Sequence, residues 1–448
     1  MKTNYSNSAD TTGLTRRKFL WLSSLTAAGI LTGCAINPVT GQNQLMLISE
    51  DSEIQIDKNK SPQQFSVDYG TIQDTALNNY INQTGKKISS LTHRPNMPYS
   101  FRCVNASYVN AYAFPGGSIA VTRGILVNLD NEAQLAALLG HELGHVNARH
   151  TAEQMSKGLL TSVVAGGVTA YAGSKNASYG KIAESLGMIG SGMLLASYSR
   201  DNERQADSLG MDYMVKAGYS PDGFIGLMDM LKNTSKHTPS SIDVMFSTHP
   251  MSDERYNTAV HNVSSTYKAY RDQPFYKERY MDNTAKLRAI KPAIKDMQNG
   301  DLEMGKQNYQ AAESNYKKAL SLAPADYAGL VMLSKCLLVQ EKFDEALKYS
   351  ESAKNLYPNE AQAIYVSGFA KMKKNNFESA YDDLNNYEKV LPGNPNTIFL
   401  KGSCLEGMKK QKEAAYEYNR YLQIEKNSDN AAYAYKRLVE WGYITPSN

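Results

Sequence analysis

Cysteine is scarce, at four in 448 residues, which excludes a disulfide-built scaffold. Excess charge of one sign is nearly absent too. Lysine and arginine number 48 against 44 aspartate and glutamate, a net of +4. Residues 1–33 hold Lys2, Arg16, Arg17 and Lys18 against Asp10, a net of +3, so the remainder carries +1. Without a basic stripe, nothing points to a nucleic-acid binder. No apolar run reaches the length of about 18 residues that a spanning helix needs, which excludes a polytopic membrane protein. What is there is a globular balance, 42% hydrophobic with a mean hydropathy of −0.47, which excludes wholesale disorder. At roughly 150 residues per domain the length suggests about two or three domains.

The first 33 residues read as an address. Thr15-Arg16-Arg17-Lys18-Phe19-Leu20 opens a mostly apolar run that ends at Leu31. A basic segment before a short apolar one is the pattern of an export signal. The arginine pair resembles a twin-arginine signal; general secretory export is the alternative. The run closes on Leu31-Thr32-Gly33-Cys34, which resembles the lipobox of bacterial lipoproteins. That resemblance implies cleavage before Cys34, lipid on its sulfur, and a mature chain 34–448. With Ala35 after the cysteine, it further implies an outer-membrane anchor.

The rest divides by texture. Residues 34–64 read as an N-terminal tether and 65–270 as an α+β domain with a small sheet. Within it, 73–91 carries helical spacing, while 99–104 and 118–122 alternate as strands. From 131 to about 232 the pattern is mainly helical. A connecting helix is expected over 271–292. From 293 to 428 a 34-residue period appears: Ala312, Ala346, Ala380 and Ala414; Tyr309, Phe343 and Phe377; Pro324, Pro358 and Pro392. This resembles four tetratricopeptide repeats, with 429–448 as a capping helix and tail. The opening helix of the first repeat is the weakest, because Asp296, Gly300 and Asp301 break its apolar face. Cys336 and Cys404 share one repeat slot two repeats apart, too distant for a disulfide.

The chemistry lies in His141-Glu142-Leu143-Gly144-His145, which continues an Ala/Leu-rich helical run. One helical turn separates the two histidines, so both imidazoles can reach one Zn²⁺. Glu142 is placed beside that face as a general base on water. Buried in an apolar helix, these groups would be costly unless paired or metal-bound. The third histidine of one zincin class would fall at Thr151, so that class is excluded. Glu203 in Glu203-Arg204-Gln205-Ala206-Asp207 can complete a His₂Glu site. Asp207, one turn on, can hold a ligand histidine by its other nitrogen.

His-Glu-x-x-His with a distant Glu-x-x-Ala-Asp resembles the HtpX-like gluzincin metallopeptidases. So do Asn110-Ala111-Tyr112-Ala113-Phe114-Pro115-Gly116-Gly117 and Ser247-Thr248-His249-Pro250 followed by Arg255. With a lipoprotein signal and C-terminal repeats, the whole resembles the β-barrel assembly-enhancing protease group. The resemblance implies one zinc per chain on His141, His145 and Glu203, with Glu142 as catalytic base and Asp207 orienting a ligand. It implies a periplasmic enzyme with unfolded or misassembled outer-membrane proteins as clients, its repeats recruiting them or an assembly machine. The alternative is a chaperone or adaptor whose zinc is structural or whose site is normally shut.

Three readings stay open. Asn110, Ala111, Tyr112 and Ala113 form either an edge strand to which a substrate adds by backbone pairing, or an ordinary strand before a turn. His249 stabilises an oxyanion, fills the fourth zinc position, or only bonds a neighbouring loop. Arg255 stabilises developing charge or makes a structural ion pair. His150 reads as a structural residue, and the Gly- and Ala-rich stretch 158–196 as two closely packed helices.

Overall fold

The computed structural model describes residues 34–164, 197–237 and 239–445. The signal segment to Gly33 and residues 165–196, most of the small-residue stretch, lie outside the described residues. A mainly helical first domain with a small sheet is followed by a purely helical array. Among the described residues no helix is long and apolar enough to cross a membrane.

The sheet has three strands, β3 (Ser100–Val104), β4 (Ala111–Ala113) and β5 (Ser118–Thr122); a separate hairpin, β1 (Cys34–Ile36) with β2 (Asn43–Leu45), precedes it. β5 lies in the centre, parallel to β3 and antiparallel to β4, so β4 is an edge. The Asn110 carbonyl accepts from Thr122 N and Phe114 N donates to Ser118 O. By the alternation of an antiparallel ladder, the backbone groups of Ala111 and Ala113 point away from β5, to the side on which no strand pairs among the described residues.

Helix α3 (Glu132–Asn147) carries the histidines and is buried along its whole length. It starts where the Asn131 side chain accepts from Gln134 N, an N-cap. Helix α5 (Arg200–Lys216), capped by Ser199 and Asn202, crosses it closely. Gly140 and Gly144 permit that crossing: a Cβ would lie 2.7 Å from the Gly210 carbonyl at Gly140, and 2.9 Å from Ala206 Cα at Gly144. The crossing therefore sets Glu203 of α5 opposite His141 and His145 of α3.

Residues 34–64 differ from the expected tether. Glu50–Val67 forms helix α1, and Glu53 is fully buried. Apart from Phe65 its buried residues are polar, and ions hold it: Glu53 pairs with Arg94 at 2.7 Å and with Arg149 at 3.1 Å. A helix packed through charges shows no apolar period, so the pattern search passes over it. These pairs brace the turn after α3, where Arg149 adopts φ 61° before helix α4 (His150–Val164) begins.

The array pairs helices α10 (Lys291–Gly305) with α11 (Tyr309–Leu322), and α12 (Tyr327–Val339) with α13 (Phe343–Leu356). The next pairs are α14 (Ala361–Lys373) with α15 (Phe377–Val390), and α16 (Pro395–Gly407) with α17 (Gln411–Ile424). Helix α18 (Asp429–Glu440) follows. The turns inside the pairs repeat the period, with positive φ at Gln307, Glu341, Asn375 and Lys409. Cys103, Cys336 and Cys404 are free and buried.

The two parts meet through apolar contacts, with Ile294 in the first domain's core and Tyr69 against the array's, and through polar side chains. Arg123, 1% exposed, grips Asp326 at 2.5 and 3.1 Å. Ser107 donates to Asp301, Ser66 to Glu360, and the Gln73 amide to the Leu356 carbonyl. Asp301 thus breaks the apolar face of α10 because it faces the first domain. Asp296, its neighbour in that irregularity, pairs with Lys318.

Candidate metal centre

Among the described residues, His141, His145, Glu203 and His249 form a buried group whose donor atoms all lie within 4.8 Å of one another. Helix α3 supplies His141 and His145, whose Nε2 atoms are 3.1 Å apart. Helix α5 supplies Glu203, with Oε2 3.5 Å from His141 Nε2 and Oε1 3.4 Å from His145 Nε2. His249 follows helix α7 (Pro239–Thr248). Its Nδ1 lies 3.0 Å from Glu203 Oε1 and 3.3 Å from His141 Nε2. His249 is thus brought among the other three side chains.

Glu142 is the exception within this cluster. It is fully buried, and neither carboxylate oxygen has a hydrogen-bond partner. His249 Nε2 lies 3.8 Å from its Oε1. Burial raises its carboxyl above the usual range, against the opposing pull of His249 and His141. Glu203 behaves in the opposite way. Burial would raise its carboxyl, but the facing His249 and His141 hold it far below the usual range. Burial drives His145 well below the usual histidine range, leaving it neutral as a ligand must be. His141 is raised, because Glu203 and Asp207 outweigh its burial.

A second ring of contacts orients the first. Asp207 Oδ1 lies 3.0 Å from His141 Nδ1. Arg255 holds both Asp207 oxygens at 2.6 and 2.7 Å, and Glu203 Oε2 at 2.6 Å. Arg255 thus bridges Glu203 and Asp207. The edge strand lies beside α3, with Ala111 and Ala113 in the main core. On its other face Tyr112, like Tyr108, donates to Asp68 at the end of α1.

Two contacts escaped the sequence reading. His150 sits with its Nδ1 2.9 Å from His145 Nδ1. Tyr198 stacks on the His145 ring at 3.8 Å between centroids and 19° between planes. The only linear signal for the first was a histidine immediately after a helix break; Tyr198 gave none beyond standing just before the cap of α5.

Two imidazoles and a carboxylate on two crossed helices are a donor set that suits zinc. The unpartnered oxygens of buried Glu142 fit a polar occupant, such as a water, beside it. The residues present therefore fit a metal ion.

Comparisons with known proteins agree with this geometry. Residues 75–263 match the model of peptidase family M48, and residues 303–367 that of a tetratricopeptide repeat. The chain is 24% identical over 370 residues to the β-barrel assembly-enhancing protease of Escherichia coli (strain K12), covering 80% of this chain and 71% of that one. It is 28% identical over 249 residues to metalloprotease YcaL of the same organism, covering 53% and 93%. To the mitochondrial metalloendopeptidase OMA1 of Schizosaccharomyces pombe it is 27% identical over 248 residues, covering 53% and 70%.

Proposed function

We propose that this chain, a metalloendopeptidase joining a family M48 peptidase domain to tetratricopeptide repeats, uses one zinc ion to cleave unfolded or misassembled proteins of the bacterial envelope. The observation that carries this reading is Glu142, buried without a hydrogen-bond partner beside two imidazoles and a carboxylate. A structural metal site would have no use for that carboxylate. His141, His145 and Glu203 would hold the ion, and Asp207 would fix the orientation of His141. When bound, zinc supplies a Lewis acid that polarises the scissile carbonyl and acidifies water. Glu142 takes the proton of the attacking water and returns it to the departing amine. Its raised affinity for a proton suits that role. Ala111 and Ala113 would pair with the substrate backbone, which makes cleavage tolerant of sequence.

The repeats would recruit clients or an outer-membrane assembly machine. Leu322, Leu356, Val390 and Ile424, each the last residue of a second helix, stay exposed at the repeat period. That regular apolar row favours a protein partner. The signal-like residues 1–33 and lipobox-like Cys34 support export to the periplasm and a lipid anchor at Cys34, with Ala35 favouring the outer membrane. Either the twin-arginine or the general secretory route would serve.

The position of His249 supports a second reading of the resting state. With His249 as fourth ligand the sphere would be closed, and the chain would hold clients until His249 left. Cleavage of unfolded casein, measured beside the Glu142→Gln and His249→Ala variants, tests both. Loss of cleavage only in Glu142→Gln supports an open peptidase. A gain in His249→Ala supports the closed site. Measurable cleavage that Glu142→Gln leaves unchanged overturns the role of Glu142.

A further inference from the structure

The two histidines of α3 are braced in different ways. His141 turns its Nδ1 to a carboxylate, Asp207, at 3.0 Å. His145 turns its Nδ1 to a third imidazole, His150, at 2.9 Å. His150, 1% exposed, turns its own Nε2 to the Gln205 side-chain oxygen at 2.9 Å. Gln205 belongs to α5, the helix that also carries Glu203 and Asp207. One helix therefore reaches the centre by three routes: directly, through one contact, and through two.

We propose that His150 and Gln205 are positioning residues that fix the proton of His145 on Nδ1 and so keep its Nε2 free for the metal. This rests on the reading of His145 as a zinc ligand. A neutral imidazole holds one proton, so each ring both donates and accepts. To offer the Nε2 lone pair, His145 carries its proton on Nδ1 and donates it to His150 Nδ1. That atom must then be bare, which leaves the His150 proton on Nε2. A proton there needs an acceptor, and the Gln205 amide oxygen can only accept. The chain of assignments closes without a spare proton or an empty lone pair. Were the amide turned, its NH₂ would donate to His150 Nε2. Both rings would reverse, and a proton would stand on His145 Nε2 where the metal belongs.

The local fold supports this arrangement. Arg149, at φ 61° and held by Glu53 and the Ile48 carbonyl, ends α3 and swings His150 back against it. Tyr198, stacked on the face of the His145 ring, restricts the turning of that ring.

Substitutions at Gln205 separate proton placement from packing. Gln205→Glu keeps an acceptor of the same shape, and Gln205→Met keeps the bulk without one. By chelator competition, Gln205→Glu should bind zinc at least as tightly as the parent, and Gln205→Met about 10–100-fold more weakly. His150→Leu should lose as much, and His150→Asn, whose side-chain oxygen can accept, should recover part of it. Histidine ¹⁵N spectra of the metal-free protein read the protons directly. They should show Nδ1–H on His145 and Nε2–H on His150 in the parent, and mixed tautomers in Gln205→Met. Equal zinc affinity in Gln205→Met and parent overturns the relay, as does a parent spectrum with Nε2–H on His145. If the parent takes up no zinc, the ligand reading fails, and the spectra still decide the relay.

Discussion

Glu142 in the peptidase domain and Glu313 in the repeats are both buried glutamates, and their surroundings have little else in common. Glu313 is ringed by Lys317 at 2.6 Å, Lys342 at 2.7 Å and the Gln340 amide at 2.9 Å. Burial would raise its carboxyl, but these donors pull it down to about 2. Glu142 has no hydrogen-bond partner, and burial raises it. At Glu313 the repeats pair a buried carboxylate with two ammonium groups and an amide. The peptidase domain keeps one carboxylate unpaired at the place where a proton must move. The contrast distinguishes charge used for fastening from charge used for chemistry.

The contrast can be broken from either side. At Glu142 the expectation is opposite for function and stability. Glu142→Gln should lower kcat/KM for peptide cleavage by about 10²–10⁴-fold. It should leave the melting temperature equal or higher, since it removes an unpaired buried charge. A fall in melting temperature would mean that Glu142 fastens the domain after all. Glu203→Ala should do the reverse. It removes the buried carboxylate that faces His141, His145 and His249, costing about 3 kcal/mol in denaturant titration, the lower end because Arg255 keeps Asp207, and it abolishes tight zinc binding. Arg123→Met strands Asp326 at the junction between the two parts. The cost should be about 3 kcal/mol, the lower end because Asp326 still accepts from Gly329 N at 2.8 Å. Calorimetry should then show the repeats melting apart from the peptidase domain, while one unchanged transition would place the junction elsewhere. Glu313→Gln should cost the least, about 1 kcal/mol or less. Its sign follows from a carboxyl held at about 2 against an ordinary 4.5. The folded state binds fewer protons there, so the parent's advantage is complete above pH 4.5 and fades as pH falls towards 2. An advantage that persisted at pH 2 would show that packing, and not charge, sets the difference.

Features with a regular spacing were legible in the sequence. The helical turn between His141 and His145, the turn between Glu203 and Asp207, and the 34-residue period each need only a ruler along the chain. The residues singled out by the first two meet in the structure. The alternation at 118–122 likewise marked β5, and the turn at Pro115-Gly116-Gly117 marked the end of β4. Helix α1 was missed because it is buried by ion pairs, which leave no period. His150 read only as structural, because its partners, His145 across a helix break and Gln205 on α5, come together only when α3 and α5 cross. The junction at Arg123 and Asp326 spans 203 residues of chain and has no local sign at either end.

The account rests on His141, His145 and Glu203 as the ligands of one ion. The direct test is elemental analysis of the chain purified under zinc-replete conditions, beside His145→Ala. The account expects about one zinc per chain in the parent and essentially none in the variant. A parent without zinc, or a variant that retains it, would contradict the assignment.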